Sequence, residues 1–241
     1  MPSETISGVV LRYANYRERD RMLTLLSPDH GRVDVLSRGC RKPGSPLMPS
    51  SELFVHGDFV LFRQQDRYTL TSCAITEPFY SLRLDAYRLT CATYLVNLAQ
   101  LAAQPEQAAP GLFRLLLQGL YHLTYGKDDQ PALAVTNAYL LLYAAETGYR
   151  PRMNHCVRCG EPLPRDRGAK LDMVAGGLCC THCSGGEQVA LTAQQIAWMR
   201  DILAKGFDAP LGSADPVLFE ALQRYVEHRL ECSIKSSQFL P

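Results

Sequence analysis

The first third of the chain alternates short apolar runs with polar turns, a pattern typical of β-strands. Residues 6–11 begin the series, residues 22–27 form a second apolar run, and residues 32–38 largely alternate apolar and polar side chains. Two further strands are predicted at residues 54–62 and 68–75. Five strands without an intervening helix predict a small closed barrel. The OB-fold is the common five-stranded form of such a barrel, and an SH3-like barrel is the alternative.

The spacing of apolar residues changes to that of helices from about residue 81. The stretch at residues 132–147 is apolar nearly all round, which indicates a central buried helix. Proline at position 131, after Asp129 and Gln130, is a helix-start signal, and Gly148 is a stop signal. The other predicted helices lie at residues 85–103, 112–125, 193–205 and 216–232.

Together these elements predict an α+β multidomain fold. Residues 1–79 are predicted to form the five-stranded β-barrel, as an OB-fold domain. A helical bundle follows, made of residues 80–150 and 191–241, and a cysteine-rich module at residues 151–190 is inserted between its third and fourth helices.

Two C-x2-C pairs define the inserted module: Cys156 with Cys159, and Cys180 with Cys183, with 20 residues between the pairs. This spacing lies at the upper edge of the range for a four-cysteine zinc site. A C-x2-C turn directs two sulfur atoms at one point, and two such turns provide the tetrahedral sites that Zn²⁺ prefers. The pattern predicts one structural zinc ion, because four thiolates leave no coordination position for an activated water.

The ligand set has alternatives at the level of sequence. Cys179 adjoins Cys180 and would give a C-x3-C arrangement with Cys183, and His155 or His182 could replace a sulfur ligand. Four unrelated buried thiols or a disulfide would also account for the composition. We expect Cys180 to be the ligand, because it restores the C-x2-C spacing.

Length and composition place the chain among globular proteins of a reducing compartment. The chain has 241 residues, of which 46% are hydrophobic, and a net charge of +1. Nine cysteines without a secretory signal favour the cytoplasm. The longest strongly apolar run, residues 138–145, is too short to span a bilayer.

Positive charge is concentrated in two stretches of the chain. Residues 12–42 hold eight basic and four acidic side chains, and residues 150–170 hold six basic and two acidic ones, a net charge of +4 in each case. Basic grooves with stacking aromatic side chains are typical of barrels that bind single-stranded nucleic acid, although a solvated surface has the same composition. The predicted phosphate contacts are Arg38, Arg41 and Lys42, followed by Arg12, Arg19, Arg21 and Arg32. The candidate stacking residues are Tyr13, Tyr16, Phe54, Phe62 and Tyr68.

Catalytic signatures are missing from the sequence. It has no phosphate-binding glycine motif of the common types, no H-E-x-x-H and no G-x-S-x-G. Gly126 and Lys127 are followed by Asp128, whose charge would repel a phosphate. The sequence therefore predicts a protein that is not an enzyme.

Short motifs follow one another in a fixed order along nearly the whole chain. They are residues 8–12, 20–26, 31–32 and 37–42, residues 148–151 leading into Cys156, Gly176 and Gly177 before Cys180, and Lys235 and Ser236 with Phe239 and Leu240. In this order they resemble the motifs of the RecO family of bacterial recombination mediators. Ser237 and Gln238 depart from the family pattern, which often has basic residues there.

The resemblance implies an OB-fold, a helical domain and a zinc module. It further implies a non-catalytic protein of DNA repair that binds single- and double-stranded DNA and anneals complementary strands. With RecR as a partner, such a protein helps to load RecA onto DNA coated by single-strand-binding protein, in the cytoplasm and associated with the nucleoid. Contact with the acidic, hydrophobic C-terminal tail of single-strand-binding protein is implied too. We expect that contact on the helical bundle, whose few basic residues include Arg88 and Arg114.

Two other functions share part of this pattern. A zinc-ribbon transcription or translation factor also combines four cysteines with a basic barrel, but it would bind specific sequences or partners. A metallo-enzyme would need an open metal site or a second one.

Overall fold

The structure is a computed structural model that describes residues 3–65, 67–126, 131–234 and 240. Residues 127–130 and 235–239, which include Asp129 and Gln130 of the predicted helix-start signal and most of the C-terminal motif, lie outside the described residues. The chain divides into two compact units, Met1–Thr124 and Tyr125–Pro241. The boundary falls inside residues 80–150, which the sequence assigned to one part of a helical domain, and that domain scheme stays a prediction.

The first unit begins with a closed barrel in the strand order β1-β2-β3-β5-β4, with β1 also paired to β4. β3 and β5 run parallel and the other pairs are antiparallel. This topology is the OB-fold that the sequence predicted. Its strands are β1 (Ser3–Tyr16), β2 (Asp20–Ser27), β3 (Gly31–Ser37), β4 (His56–Gln64) and β5 (Arg67–Glu77).

The alternation of apolar residues along these strands fills the barrel interior. Val10, Leu25, Val35, Phe59 and Leu61 are members of one fully buried cluster, and burial of each such side chain contributes about 1.5 to 3 kcal/mol. A bulge breaks the register of β1 between residues 10 and 12, so the strand bends there. Beyond the bulge, β1 pairs only with β2, and residues 12–16 are exposed. This hairpin end carries part of the basic sequence stretch.

Two helices complete the described part of the first unit, α1 (Ala86–Ala102) and α2 (Pro110–Tyr125). Asp85 caps α1 by accepting hydrogen bonds from the backbone N–H groups of Tyr87 and Arg88. The predicted leucines of α2 face inward, and Leu116 and Leu120 are fully buried.

The second unit combines three helices with a small antiparallel sheet. α3 is buried on nearly every side, as the sequence predicted, and packs against α4 and α5. Thr192 and Gln195 form a capping box at the start of α4. The sheet has the order β7-β6-β8. The elements are α3 (Ala132–Glu146), β6 (Ala169–Asp172), β7 (Gly177–Cys179), β8 (Gln188–Leu191), α4 (Ala193–Lys205) and α5 (Pro216–Leu230).

Among the helices of the described residues, none has the length and apolarity needed to cross a membrane.

Candidate functional site

The four cysteines of the two C-x2-C pairs meet in the second unit. Their Sγ atoms all lie within 4.8 Å of one another. The first pair sits in a tight turn that Gly160 closes with φ +79°, a backbone angle that favours glycine. The N–H of Val157 donates to the carbonyl of Leu178 on β7, so this turn is held against the strand that leads into the second pair.

The separations of these sulfur atoms fit a tetrahedral metal ion. Zinc–sulfur bonds of about 2.3 Å place sulfurs about 3.8 Å apart at the corners of a tetrahedron. The Sγ atoms of Cys159 and Cys180 are 3.9 Å apart. The described cysteines are all free thiols, so the structure joins none of these four in a disulfide.

Electrostatics at the cluster favour binding of a cation. Burial opposes ionisation of Cys156, but the backbone N–H groups of Cys159, Cys180 and Arg158 donate to its sulfur and lower the pKa of Cys156 to about 5. Hydrogen bonds with the thiols of Cys180 and Cys159 raise the pKa of Cys183. Without a cation the four groups therefore cannot all ionise at neutral pH. A bound metal ion would stabilise all four thiolates together.

The alternative ligands lie outside the cluster of sulfur atoms. Cys179 is fully buried, and its thiol donates to the carbonyl oxygens of Cys180 and Cys183 at 3.4 Å each. His155 and His182 are exposed, and neither belongs to the group. The group of four sulfur atoms that could hold a metal therefore includes Cys180 and not Cys179.

A half-buried ion pair stabilises the cysteine module. Arg158, inside the first pair, donates from Nε to Asp172 Oδ2 (2.6 Å) and from Nη2 to the carbonyl of Gly185 (2.6 Å). Asp172 is fully buried and also accepts from the backbone N–H of Ala175 and from Gln188 Nε2. Burial opposes its ionisation, but these hydrogen bonds prevail and lower the pKa of Asp172. Arg158, which contributes to the basic stretch at residues 150–170, therefore stabilises the module through these contacts.

A second candidate site is a groove of about 590 Å³ on the outside of the barrel. It crosses β2 and β3 between the β1–β2 turn and the β4–β5 turn, and its lining includes Tyr16, Arg38, Arg67 and Tyr68. The carboxylate of its lining residue Asp34 accepts a hydrogen bond from a threonine hydroxyl. In OB-folds the face of strands 2 and 3, flanked by these two turns, is the surface that binds oligonucleotides.

Basic side chains collect at one end of this groove. The N–H of Gly39 donates to Asp20 Oδ1 (2.7 Å), and the N–H of Arg41 donates to the carbonyl of Arg19 (3.0 Å). The loop after β3 is thereby held against the β1–β2 turn. Among the described residues, no carboxylate pairs with any member of this basic end, which comprises Arg17, Arg19, Arg38, Arg41 and Lys42.

The remaining predicted contacts are separated from this basic end. Arg12 is exposed on β1, beyond the bulge. Arg32 lies at the opposite end of β3 from Arg38, about 20 Å away at the rise of a strand. Its Nε is 3.9 Å from Asp34 Oδ2. Arg32 therefore stands apart from the cluster that the loops assemble.

Arg21 has a structural role in the barrel. Its side chain is buried, and Nη1 donates to Glu52 Oε1 (2.8 Å) and to the carbonyl of Ser51 (2.9 Å). Its guanidinium also lies over the ring of Tyr13 at 3.9 Å. These contacts occupy the charge, so we leave Arg21 out of the candidate nucleic-acid surface.

Replacing Arg21 by alanine is expected to destabilise the barrel while leaving the basic end intact. The substitution removes a partly buried ion pair and a hydrogen bond to Ser51, a loss of roughly 3 kcal/mol. Urea unfolding measures the change, and DNA affinity of the folded fraction is expected to match that of the unmodified chain. An unaltered unfolding midpoint together with a large loss of affinity would instead place Arg21 on the binding surface.

The candidate stacking residues differ in accessibility. Tyr16 is 42% exposed at the rim of the groove, and Tyr68 is half-buried with the guanidinium of Arg63 5.5 Å from its ring centre. Phe54 is fully buried and Phe62 is half-buried. Tyr16 therefore has the most accessible ring in the lining of the groove.

Two basic residues were missed by sequence reasoning. Arg17 occupies the β1–β2 turn with φ +55°, inside the predicted basic stretch. Arg67 opens β5, far from that stretch in sequence, and reaches the groove because β5 pairs in parallel with β3, with Tyr68 opposite Val35. Its position beside the β4–β5 turn would have been the only signal.

Comparisons with known proteins cover nearly the whole chain. Residues 1–79 match the family "Recombination protein O N terminal", and residues 83–238 match "Recombination protein O C terminal". Among curated relatives, the DNA repair protein RecO of Acetivibrio thermocellus is 28% identical, over 97% of this chain and 94% of the relative. The protein of the same name from Symbiobacterium thermophilum is 29% identical over 98% and 95%. That from Frankia casuarinae is 30% identical over 100% and 99%.

Proposed function

Because this chain belongs to the RecO family of DNA repair proteins, we propose that it binds DNA through the barrel groove and acts as a non-catalytic recombination mediator. In this proposal it binds single- and double-stranded DNA and anneals complementary strands. The groove across β2 and β3, with its unpaired basic end, is the observation that supports the proposal.

Two kinds of contact are proposed at the groove. Arg17, Arg19, Arg38, Arg41 and Lys42 contact phosphates, with Arg12 and Arg67 at the edges. The rings of Tyr16 and Tyr68 stack on bases. Such stacking tolerates any nucleotide sequence, because every base has a π-face. This combination suits a mediator that acts on any strand, and it disfavours a transcription or translation factor that reads one sequence.

We propose one structural zinc ion held by Cys156, Cys159, Cys180 and Cys183. The distances between sulfur atoms and the N–H groups directed at Cys156 support this assignment. Bound zinc would link the two cysteine turns and would supply no reacting group, because four thiolates fill its coordination sphere. This chemistry agrees with a mediator that is not an enzyme.

Strand annealing tests the proposed activity directly. The purified chain is expected to accelerate annealing of two dye-labelled complementary strands without any nucleotide, and to do so when single-strand-binding protein coats both strands. The acceleration is expected to be independent of sequence and to fall steeply with salt, because phosphate contacts release counterions. Annealing no faster than the uncatalysed reaction would contradict the mediator function, and acceleration confined to one sequence would favour the transcription-factor alternative.

The proposed partners are RecR, single-strand-binding protein and, indirectly, RecA. Of the two basic residues considered for the acidic tail of single-strand-binding protein, Arg88 donates to the carbonyl of Leu123 and lies 3.7 Å from Asp85. Arg114 is exposed, and no carboxylate of the described residues pairs with it. Tyr121, 58% exposed, follows on the same face of α2, two turns later. This face offers apolar area beside a cation, as such a tail requires.

A labelled tail peptide should bind the full chain and not an isolated barrel of residues 1–79. Arg114→Glu is expected to weaken peptide binding about tenfold, because it replaces an attractive charge with a repulsive one. Arg19→Glu is the matched control, since it makes the same change of charge on the barrel. Equal weakening by both variants, or peptide binding by the barrel alone, would contradict a tail site on the helices.

A further inference from the structure

A second basic groove, of about 1020 Å³, lies beside the first cysteine turn. Residues 150–160 form one wall and α4 contributes to the other. The single acidic residue of the described lining is Asp201, whose Oδ1 is 3.6 Å from Lys205 Nζ. Five arginines line the groove: Arg150, Arg152, Arg158, Arg165 and Arg200.

Most of these arginines are fixed in place without being neutralised. Arg150 Nη2 donates to the carbonyl of Leu203, and Arg200 Nη2 donates to the carbonyl of Met153, at 2.7 Å in each case. Arg152 Nη2 likewise donates to a backbone carbonyl at 3.0 Å. A carbonyl orients a guanidinium but leaves its charge uncompensated, and each guanidinium keeps further N–H donors. In the described part of the chain, no carboxylate pairs with any of the three.

The wall that carries Arg152 is built for close approach of the backbone. The backbone N–H of Arg152 donates to the carbonyl of Gly176, and the carbonyl of Arg152 accepts from the N–H of Leu178. Arg152 therefore extends the edge of β7. A Cβ atom at Gly177 would lie 2.4 Å from the carbonyl oxygen of Arg152. Glycine at that position therefore allows the segment to dock and sets the position of Arg152 in the groove.

Arg165 and Arg200 are like charges that both line the groove. Burial, and after it the positive charge of Arg165, lowers the pKa of Arg200. The Nε–H of Arg200 is buried and has no hydrogen-bond partner among the described residues. Arg165 itself is exposed, and no described carboxylate pairs with it. An anion between the two guanidinium groups would relieve their repulsion.

We propose that this groove is a second nucleic-acid site, which binds the phosphate groups of a single strand. Guanidinium groups present paired donors that match phosphate oxygens, and their fixed orientation lowers the entropic cost of binding. An acidic apolar peptide fits less well, because the apolar lining residues Met153 and Leu203 are themselves buried and offer no pocket for an anchor. The inference rests on the proposed DNA-binding function and adds a second strand to it: one chain holds one strand on the barrel and another here.

Charge reversal at Arg165 tests the proposal in the full chain. The chain is first saturated with a donor-labelled single strand, and a non-complementary acceptor-labelled strand is then titrated by energy transfer. Arg165→Glu is expected to weaken capture of the second strand about tenfold and to make its salt dependence shallower by about 0.7 per lost phosphate contact. Arg167→Glu is the matched control: it is exposed on the same loop, makes the same change of net charge and does not line the groove. We expect its second-strand affinity to stay within about twofold of the unmodified chain.

The outcomes separate this proposal from the proposed function. Equal effects of Arg165→Glu and Arg167→Glu would show that the strand responds to overall charge and not to the groove, and would contradict the proposal. No effect of either variant would contradict it as well. If Arg165→Glu changes nothing while loss of the barrel arginines abolishes first-strand binding, the groove proposal fails and the barrel site stands. If loss of the barrel arginines leaves the affinity for the first strand unchanged and Arg165→Glu weakens capture of the second strand, the barrel assignment fails and the groove proposal stands.

Discussion

A Cys156→Ser variant is expected to lose the bound metal and to unfold the cysteine module. Structural zinc contributes on the order of 10 kcal/mol in zinc-finger peptides at neutral pH, which is comparable to the whole stability of a domain. Serine is a poor zinc ligand, and the remaining three cysteines cannot complete a four-sulfur tetrahedral site. Elemental analysis is expected to give one zinc per unmodified chain and less in the variant. Hydrogen exchange should show loss of protection across residues 151–191.

Cys179→Ser is the matched control for this result. It replaces a neighbouring buried cysteine whose sulfur lies outside the cluster, so the variant should keep its metal. Its stability should fall by only about 1 to 2 kcal/mol, because a buried thiol becomes a hydroxyl. Metal lost from Cys179→Ser but kept in Cys180→Ser would move the fourth ligand to Cys179. A folded, unmodified chain without metal would refute the metal site.

Acidification provides a second measure of the same site. Protons compete with the metal for the four thiolates, so metal affinity is expected to fall as the pH falls. The raised pKa of Cys183 means that its thiol gives up a proton near neutral pH only when a cation replaces it. At pH 7 the thiol of Cys156 is already ionised and has no proton to release, whereas Cys183 must lose its proton when the metal binds. Metal binding in a weak buffer at pH 7 is therefore expected to release protons.

A triple alanine substitution at Arg38, Arg41 and Lys42 is expected to remove most of the affinity of the barrel for single-stranded DNA. Each lost phosphate contact lowers the slope of log affinity against log salt by about 0.7 on a single strand, so the slope should fall by about 2. Affinity should fall on the order of a hundredfold at about 50 mM salt and converge with that of the unmodified chain near 1 M. Fluorescence anisotropy over a salt series measures both quantities.

The fold should survive this triple substitution, since all three side chains are exposed and none pairs with a described carboxylate. We expect a change in the free energy of unfolding within about 0.5 kcal/mol. Arg32→Ala provides the matched control on the same barrel. Its slope of log affinity against log salt should change by less than half of the contribution of one phosphate contact. A folded triple variant with unchanged affinity and slope would refute the assignment of the basic end.

The sequence by itself determined the elements of this protein and the composition of its candidate metal site. Alternating and helical periodicities depend on local burial, so the five strands and the buried α3 could be recognised without any long-range information. The C-x2-C pairs are equally local, because each turn directs its own two sulfur atoms. The fold class and the family resemblance followed from the same short-range patterns.

The tertiary structure decided which basic residues are available to a ligand. Arg21 and Arg38 are alike in sequence, yet Arg21 is buried against Glu52 and Arg38 is exposed at the groove. Parallel pairing of β3 with β5 brings Arg67 to the groove that Arg38 also lines, which no local pattern could indicate. A net charge calculated from the sequence counts every basic residue equally. Binding of an anion depends on whether a carboxylate, a carbonyl or solvent lies opposite each guanidinium. That partner is set by segments distant along the chain, and only the fold brings them together.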